Sequence, residues 1–171
     1  MNDTTRSRTI EWEDPMIGAT QALSMPGLDY LQAMIARKIP APPIVALMDM
    51  DLVSATKGEV TFTAVPNESH YNPIGAVHGG FACTVLDSVA GCAVHSTLPA
   101  GMGYTSLEIK VSYLRAISTE SGVLTAVGRV TKPGSRVAFA EAEITDAQGR
   151  LVATATSTLL VFPVSAPSAT A

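Results

Sequence analysis

The stretch that decides the fold is Asn72-Pro73-Ile74-Gly75-Ala76-Val77-His78-Gly79-Gly80, followed after six uncharged residues by Asp87. A loop rich in glycine and proline, which favour turns, leads directly into an almost wholly apolar segment. This segment is predicted to form a helix from about Val77 to Ser96, closed by Leu98-Pro99-Ala100-Gly101. The first turn of such a helix presents backbone N–H groups and a partial positive charge, which suit a developing negative charge.

Asp87 lies two turns into the predicted helix, and no other residue from Gly79 to Val94 carries a formal charge. Burial of an unpaired carboxylate costs free energy, so its presence in an apolar segment needs a reason. The alternatives are an acid in solvent and a buried acid paired for structure. A functional acid is favoured because no basic residue is near in sequence. Small residues are predicted to share its face and to leave room for a ligand or a second chain: Cys83, Thr84, Ala90 and Gly91.

The composition indicates one domain with a sizeable core, since the chain has 171 residues, of which 47% are hydrophobic and 15% charged. So few charges favour an oligomer that hides apolar surface. The net charge of -4 gives no general attraction to nucleic acid or acidic membranes. No metal-ligand spacing is present, and the polar N-terminus is not typical of a signal peptide. No uninterrupted apolar run is long enough to predict a membrane span. We therefore expect a cytoplasmic protein.

The two cysteines, Cys83 and Cys92, are nine residues apart on the predicted helix. Their Cα atoms should lie about 13 Å apart, which is too far for a disulfide. We interpret both as small apolar residues in a reducing compartment, and not as ligands or nucleophiles.

The rest of the chain divides into an extension at 1–43, a domain at 44–162 and a flexible tail at 163–171. Residues 1–24 are predicted to be poorly ordered or loosely docked, and Leu28 to Lys38 to form a short amphipathic helix that Pro40, Pro42 and Pro43 end. Alternating residues and turn signals predict six strands, two of them within Met48–Val65 around a turn at Lys57-Gly58. The others are expected at Tyr104–Leu114, Gly122–Thr131, Arg136–Thr145 and Arg150–Phe162. One apolar helix then has to be covered by a single curved antiparallel sheet, an α+β arrangement.

Two further segments accompany the loop–helix motif: Thr105-Ser106-Leu107-Glu108-Ile109-Lys110-Val111-Ser112-Tyr113-Leu114-Arg115 and Asp146-Ala147-Gln148-Gly149-Arg150-Leu151-Val152-Ala153. Together the motifs resemble the hotdog-fold acyl-CoA thioesterases of the phenylacetate-degradation branch. The resemblance spans roughly Ile44 to Phe162 and implies a long central helix wrapped by a curved antiparallel sheet. It also implies hydrolysis of acyl-CoA thioesters, with coenzyme A as part of the substrate and no separate cofactor.

The same resemblance gives expected roles to individual residues. Asp87 would be the general base or the nucleophile, and Gly79 N–H the oxyanion donor. Asn72 would hold the carbonyl or the attacking water. Ser106, with Thr105 as the alternative, would bind the catalytic carboxylate or water. His78 would mainly shape the loop.

The resemblance further implies a homodimer or homotetramer whose sites are shared between subunits. Asn72 and Gly79 would then come from one chain, and Asp87 and Ser106 from its partner. The phosphates of coenzyme A would bind strand-end bases, for which Arg115, Lys132 and Arg136 are the candidates. Where this branch usually has a basic pair after Lys132-Pro133-Gly134, the chain has Ser135-Arg136.

Two other functions stay open on sequence alone. One is a hotdog hydratase or dehydratase that uses His78 and Asp87 on an acyl-CoA, and it would change a double bond without releasing a thiol. The other is a non-catalytic module that binds acyl-CoA without turnover. His70 and His95 are isolated in sequence and receive no role.

Overall fold

The computed structural model describes residues 4–164. Six strands form one antiparallel sheet in the order β1-β2-β4-β5-β6-β3. The strands are β1 (Met50–Thr56), β2 (Glu59–Ala64), β3 (Met102–Tyr113), β4 (Leu124–Lys132), β5 (Val137–Thr145) and β6 (Leu151–Pro163). The helices are α1 (Pro15–Ser24), α2 (Gly27–Ile35), α3 (Pro43–Leu47) and α4 (Gly79–His95).

Helix α4 forms the centre of the core, where it packs against β2, β3, β4, β5 and β6. Val85, Leu86 and Val89 are fully buried beneath the sheet. Strand β4 approaches so closely that a Cβ on Gly128 would lie 2.2 Å from the Val89 carbonyl oxygen, so only glycine fits there. A long helix wrapped by a curved antiparallel sheet is the predicted α+β hotdog arrangement, and it is confirmed.

One side of α4 remains only partly covered. Its half-buried residues recur at helical spacing: Cys83, Thr84, Asp87, Ser88 and Cys92. The hydroxyls of Thr84 and Ser88 donate to carbonyls of α4 itself, at 2.9 and 2.8 Å, so this side presents few unpaired donors. We call these five residues the open stripe. Ala90 and Gly91 were also predicted to share the face of Asp87, but both are buried and lie outside this stripe.

The sheet ends at β3, whose outer edge pairs with no strand among residues 4–164. Leu107 and Tyr113 on this strand are more than half exposed. A twelve-residue exposed edge is a ready template for pairing with another strand. The open stripe and the free edge of β3 lie side by side, because α4 packs on β3.

Within the segment 1–24, which was predicted to be poorly ordered or loosely docked, residues 15–24 form the helix α1 that the sequence analysis missed. Asp14 caps α1 by accepting from the N–H of Met16 at 2.9 Å, and Pro15 opens the helix, an arrangement that favours helix initiation. The sequence analysis also missed α3, which Pro43 opens. The predicted turn at Lys57-Gly58 is confirmed between β1 and β2.

Most of the tail predicted to be flexible, residues 163–171, lies outside the described residues, which end at 164. Its first residue, Pro163, is the last residue of β6. Cys83 and Cys92 are both free, as the spacing predicted. No helix within residues 4–164 has the length and apolarity needed to cross a membrane.

Candidate active site

The loop before α4 is built around Asn72. Its side-chain oxygen accepts from the N–H groups of Ile74 and Ala76, both at 3.1 Å, and its own N–H donates to the Ala76 carbonyl at 2.7 Å. Asn72 thus closes the turn through its oxygen, as a turn residue does. Its side-chain Nδ2 makes no hydrogen bond within residues 4–164, so this is the group left to contact a ligand.

His78 caps α4. Its Nδ1 accepts from the N–H of Gly80 at 2.8 Å, and a Cβ on Gly80 would lie 2.9 Å from that nitrogen. Because Nδ1 is an acceptor, the proton of the neutral ring is on Nε2. His78 thus contacts the start of α4 through Nδ1, and Gly80 leaves room for its ring.

Gly79 is the first residue of α4, and its N–H has no acceptor among residues 4–164. A first-turn N–H of a helix is unpaired by geometry and gains from the helix dipole. The Tyr113 hydroxyl donates to the Gly79 carbonyl at 3.1 Å and so ties this turn to the end of β3. Sequence analysis did not single out Tyr113 as a site residue.

A pocket of about 330 Å³ lies at this end of the sheet. Four predicted residues line it, namely Asn72, His78, Gly79 and Arg115. Arg115 is exposed, and its guanidinium donates to the Leu151 carbonyl at 2.5 Å. The structure thus gathers the loop residues and one candidate phosphate ligand around one opening.

Asp87 is half-buried on the open stripe, and Ser106 Oγ donates to its Oδ1 at 2.7 Å. The predicted pairing therefore holds with Ser106 and not with the neighbouring Thr105. Oδ2 of Asp87 accepts no hydrogen bond from residues 4–164. A carboxylate held at one oxygen and open at the other is positioned to take a proton or to attack an electrophile.

Neither thiol near Asp87 is suited to act as a nucleophile. Burial raises the pKa of Cys92 to about 12, and desolvation together with the charge of Asp87 raises the pKa of Cys83. Both thiols are therefore protonated near neutral pH, and a thiol is a much weaker nucleophile than a thiolate. Tyr104 packs against the same helix at Gly91, where a Cβ would lie 2.6 Å from its ring.

The two remaining candidate bases, Lys132 and Arg136, lie elsewhere on the sheet. Lys132 is level with Glu108 in the middle of β3, through the pairs Lys132–Phe139, Phe139–Thr158 and Thr158–Glu108. Lys132 ends β4, and the Arg136 carbonyl accepts from the N–H of Val161, which pairs with Tyr104. Arg136 is therefore level with Tyr104, whereas Arg115 is level with Val152 just beyond Tyr113, about 30 Å away along the strands. Lys132 and Arg136 are both exposed.

Within residues 4–164, no cluster of three or more His, Cys, Asp or Glu side chains could hold a metal ion. The predicted residues instead form two groups, one around the Gly79 N–H and one around the Asp87 carboxylate. Eight residues of one helix separate them, a rise of about 12 Å.

The fold and this pair of groups define a class of protein: a hotdog domain with an unpaired N–H at the start of its central helix and a carboxylate on the same helix. Residues 74–153 match the model of the Thioesterase superfamily. Human acyl-coenzyme A thioesterase 13 is 34% identical over 104 residues, which cover 60% of this chain and 72% of the human protein.

Two solved structures are also similar. A thioesterase structure from Ralstonia eutropha, described as a phenylacetic acid degradation-related protein, has a TM-score of 0.70 and 28% identity. The match covers 77% of this chain and 98% of the Ralstonia chain. A structure from Streptococcus pneumoniae, described as a hypothetical thioesterase protein with coenzyme A, has a TM-score of 0.61 and 28% identity. The match covers 68% of this chain and 91% of the streptococcal chain.

The chain belongs to the Thioesterase superfamily. The resemblance inferred from the motifs is thereby confirmed, as is the assignment to the thioester hydrolases.

Proposed function

We propose that the protein hydrolyses acyl-CoA thioesters to a free acid and coenzyme A, at sites shared between two copies of the chain. The observation that carries the proposal is the Asp87 carboxylate, held by Ser106 at 2.7 Å and otherwise open on a half-buried stripe of small residues. A charge with a single hydroxyl partner beside an apolar core is costly, so its presence favours a chemical role. The human relative named as an acyl-CoA thioesterase and the streptococcal structure with coenzyme A support this substrate class.

The separation of the two groups supports a shared site. A thioester carbonyl cannot contact Gly79 N–H and the Asp87 of the same chain, because they lie about 12 Å apart along α4. A second copy related by a two-fold axis resolves this, since an antiparallel pairing of the free β3 edges brings the Tyr113 end of one strand towards the Ser106 end of the other. Gly79 lies at the Tyr113 end and Asp87 at the Ser106 end.

The same pairing would gather the candidate phosphate ligands. Arg115 of one chain would approach the end of the sheet where its partner carries Arg136, whereas Lys132 lies nearer the middle of the sheet. These exposed bases can bind the phosphates of coenzyme A without a cost of burial. A tetramer of two such dimers and a cytoplasmic location remain proposals that rest on the resemblance.

In the proposed reaction, Gly79 N–H donates to the carbonyl oxygen as it becomes negative, assisted by the dipole of α4. Asn72 can add a donor only through Nδ2, since its oxygen is engaged in the turn. Asp87 either takes a proton from water, which attacks the carbonyl carbon, or attacks it directly to form a mixed anhydride. In both routes the C–S bond breaks, the electron pair stays on sulfur, and the thiolate takes up a proton to become coenzyme A. In the second route water then hydrolyses the anhydride, which releases the acid and restores Asp87. Ser106 keeps the carboxylate in place.

His78 separates this proposal from the hydratase alternative. Its Nδ1 is committed to Gly80, and only Nε2 is left for proton transfer. A proton taken up on Nδ1 would remove the cap from α4, so repeated proton exchange there would cost helix stability. The thioesterase function needs no such step at His78.

The function is tested by incubating the purified protein with a panel of aromatic, short aliphatic and medium-chain acyl-CoAs and measuring free thiol. We expect thiol release with at least one class, at a rate set by the acyl group. Hydration of an enoyl-CoA without thiol release would favour the hydratase alternative. Saturable binding of acyl-CoA with no product of either kind would leave only the binding module.

A further inference from the structure

We propose that Arg8, far from the loop in sequence, is a positioning residue that holds Gly79 in place through His70. This inference rests on the proposed function, in which the Gly79 N–H is the oxyanion donor. Arg8 precedes the part of the chain that matches the family model, residues 74–153.

Arg8 is anchored at three points on the body of the protein. Its Nη2 donates to Asp49 Oδ1 at 2.5 Å and to the Ala46 carbonyl at 2.9 Å, and its Nη1 donates to Ser69 Oγ at 3.3 Å. Only 26% of the Arg8 side chain is exposed. Because one guanidinium engages several acceptors in a fixed geometry, it links the N-terminal segment to the segment that carries His70.

Asp49 joins this anchor to the loop. Its second oxygen accepts from the side-chain amide of Asn67, so one carboxylate binds both neighbours. Asp49 has a φ of 46°, a left-handed conformation that few non-glycine residues adopt. A backbone held in this conformation indicates that the surrounding contacts fix its position.

Asn67 in turn fixes the ring of His70. The Asn67 N–H donates to His70 Nδ1 at 3.2 Å, so the neutral ring carries its proton on Nε2. Nε2 lies 3.5 Å from Arg8 Nη1, a packing contact of two donors and not a hydrogen bond. Burial lowers the pKa of His70. The charge of Asp49 opposes this shift and the charge of Arg8 adds to it, and the lowered pKa favours the neutral ring.

His70 holds the start of α4 on both sides of Gly79. Its carbonyl accepts from the N–H of His78 at 2.8 Å, and its ring lies on the ring of Phe81 with centroids 4.5 Å apart. Displacement of His70 would shift the residue before Gly79 and the residue two positions after it. A small misplacement of an oxyanion donor is costly in rate, because its effect depends on its distance to the developing charge.

The test compares Arg8→Ala with Arg6→Ala in the full chain. Arg6 is a matched control, because it pairs with Glu68 in a salt bridge whose side chains are 69% and 64% exposed. We expect Arg8→Ala to lower kcat about tenfold while KM changes less than about twofold, because the oxyanion donor acts mainly in the transition state. Arg6→Ala should stay within about twofold of the wild type.

Amide hydrogen exchange of His78 provides the readout that is independent of activity. The N–H of His78 donates to the His70 carbonyl, so Arg8→Ala should speed the exchange of this N–H and Arg6→Ala should not. Unchanged exchange at His78 in a folded Arg8→Ala protein would overturn the inference, whatever the rate of catalysis. A wild type without thioesterase activity would instead refute the proposed function, and the exchange experiment would still test the link.

Asp49→Asn keeps the inference testable if Arg8→Ala does not fold. The amide can accept from Arg8 through its oxygen, but its nitrogen would then face the Asn67 amide donor, so one of the two contacts is lost. We expect faster exchange at His78 and a lower kcat, as for Arg8→Ala. Exchange and kcat equal to those of the wild type would contradict the role of this network.

Discussion

Replacement of Asp87 by Asn is expected to lower kcat by about a hundredfold or more, the typical contribution of a positioned base. The change keeps the shape of the side chain and removes its charge, so α4 should persist. The free energy of unfolding should hold or rise, since a partly buried carboxylate with one hydroxyl partner is poorly compensated. KM should change little, because the proposed phosphate ligands are strand-end bases and not Asp87.

The control for this prediction is His78→Ala. Loss of the Gly80 cap should destabilise the start of α4 by about 1 kcal/mol and affect the chemistry less than Asp87→Asn does. Thiol release by Asp87→Asn at nearly the wild-type rate would contradict the mechanism. A His78→Ala protein that is folded and inactive would make the hydratase alternative the leading one.

The second large effect is expected at Gly79, where the donor itself can be deleted. Proline has no N–H and is favoured at the first position of a helix, which is where Gly79 lies. His78 has a ψ of 137°, a conformation that the residue before a proline can adopt. Gly79→Pro should therefore fold and should lose about a hundred- to a thousandfold in kcat, as for removal of one oxyanion donor.

Gly79→Ala is the matched control, because it adds the same Cβ and keeps the N–H. In both variants that atom would lie 3.1 Å from the Tyr113 ring, an exposed side chain that can move. Steady-state thiol release should thus fall far more in the proline variant than in the alanine variant. Equal losses in the two would show that contact with Tyr113, and not the N–H, accounts for the effect.

Much of the site could be predicted because it is local in sequence. Asn72, His78 and Gly79 are brought together by one turn and one helix start, and their relation follows from glycine, proline and capping preferences. The pairing of Asp87 with Ser106 is less local. A bulge between Ser106 and Glu108 shifts the register of β3, so alternation alone left Thr105 as an alternative.

Other features depend on contacts between distant segments. The strand order, with β3 beside β6 at an edge, is set by long-range pairing and has no local signature. The link from Arg8 to Asp49 spans 41 residues. The start of α1, in contrast, carried the signal Asp14-Pro15, which could have been recognised as a cap followed by a proline at the first helical position.

The shared site is the central claim, and mixing two inactive variants tests it most directly. Gly79→Pro removes the N–H donor that one chain contributes to a site. Asp87→Asn removes the carboxylate that the other chain contributes to the same site. In a mixed dimer one site therefore has both groups intact and the other has neither. After subunit exchange at equal amounts, random pairing predicts recovery of about a quarter of the wild-type rate of thiol release.

The matched control mixes Asp87→Asn with Ser106→Ala, two changes in the same group. No dimer of these variants has an intact site, so the rate should stay at the mean of the two separate proteins. Recovery in the first mixture and none in the second is the predicted result. No recovery in the first mixture, with mixed dimers demonstrated by mass spectrometry, would contradict the shared site.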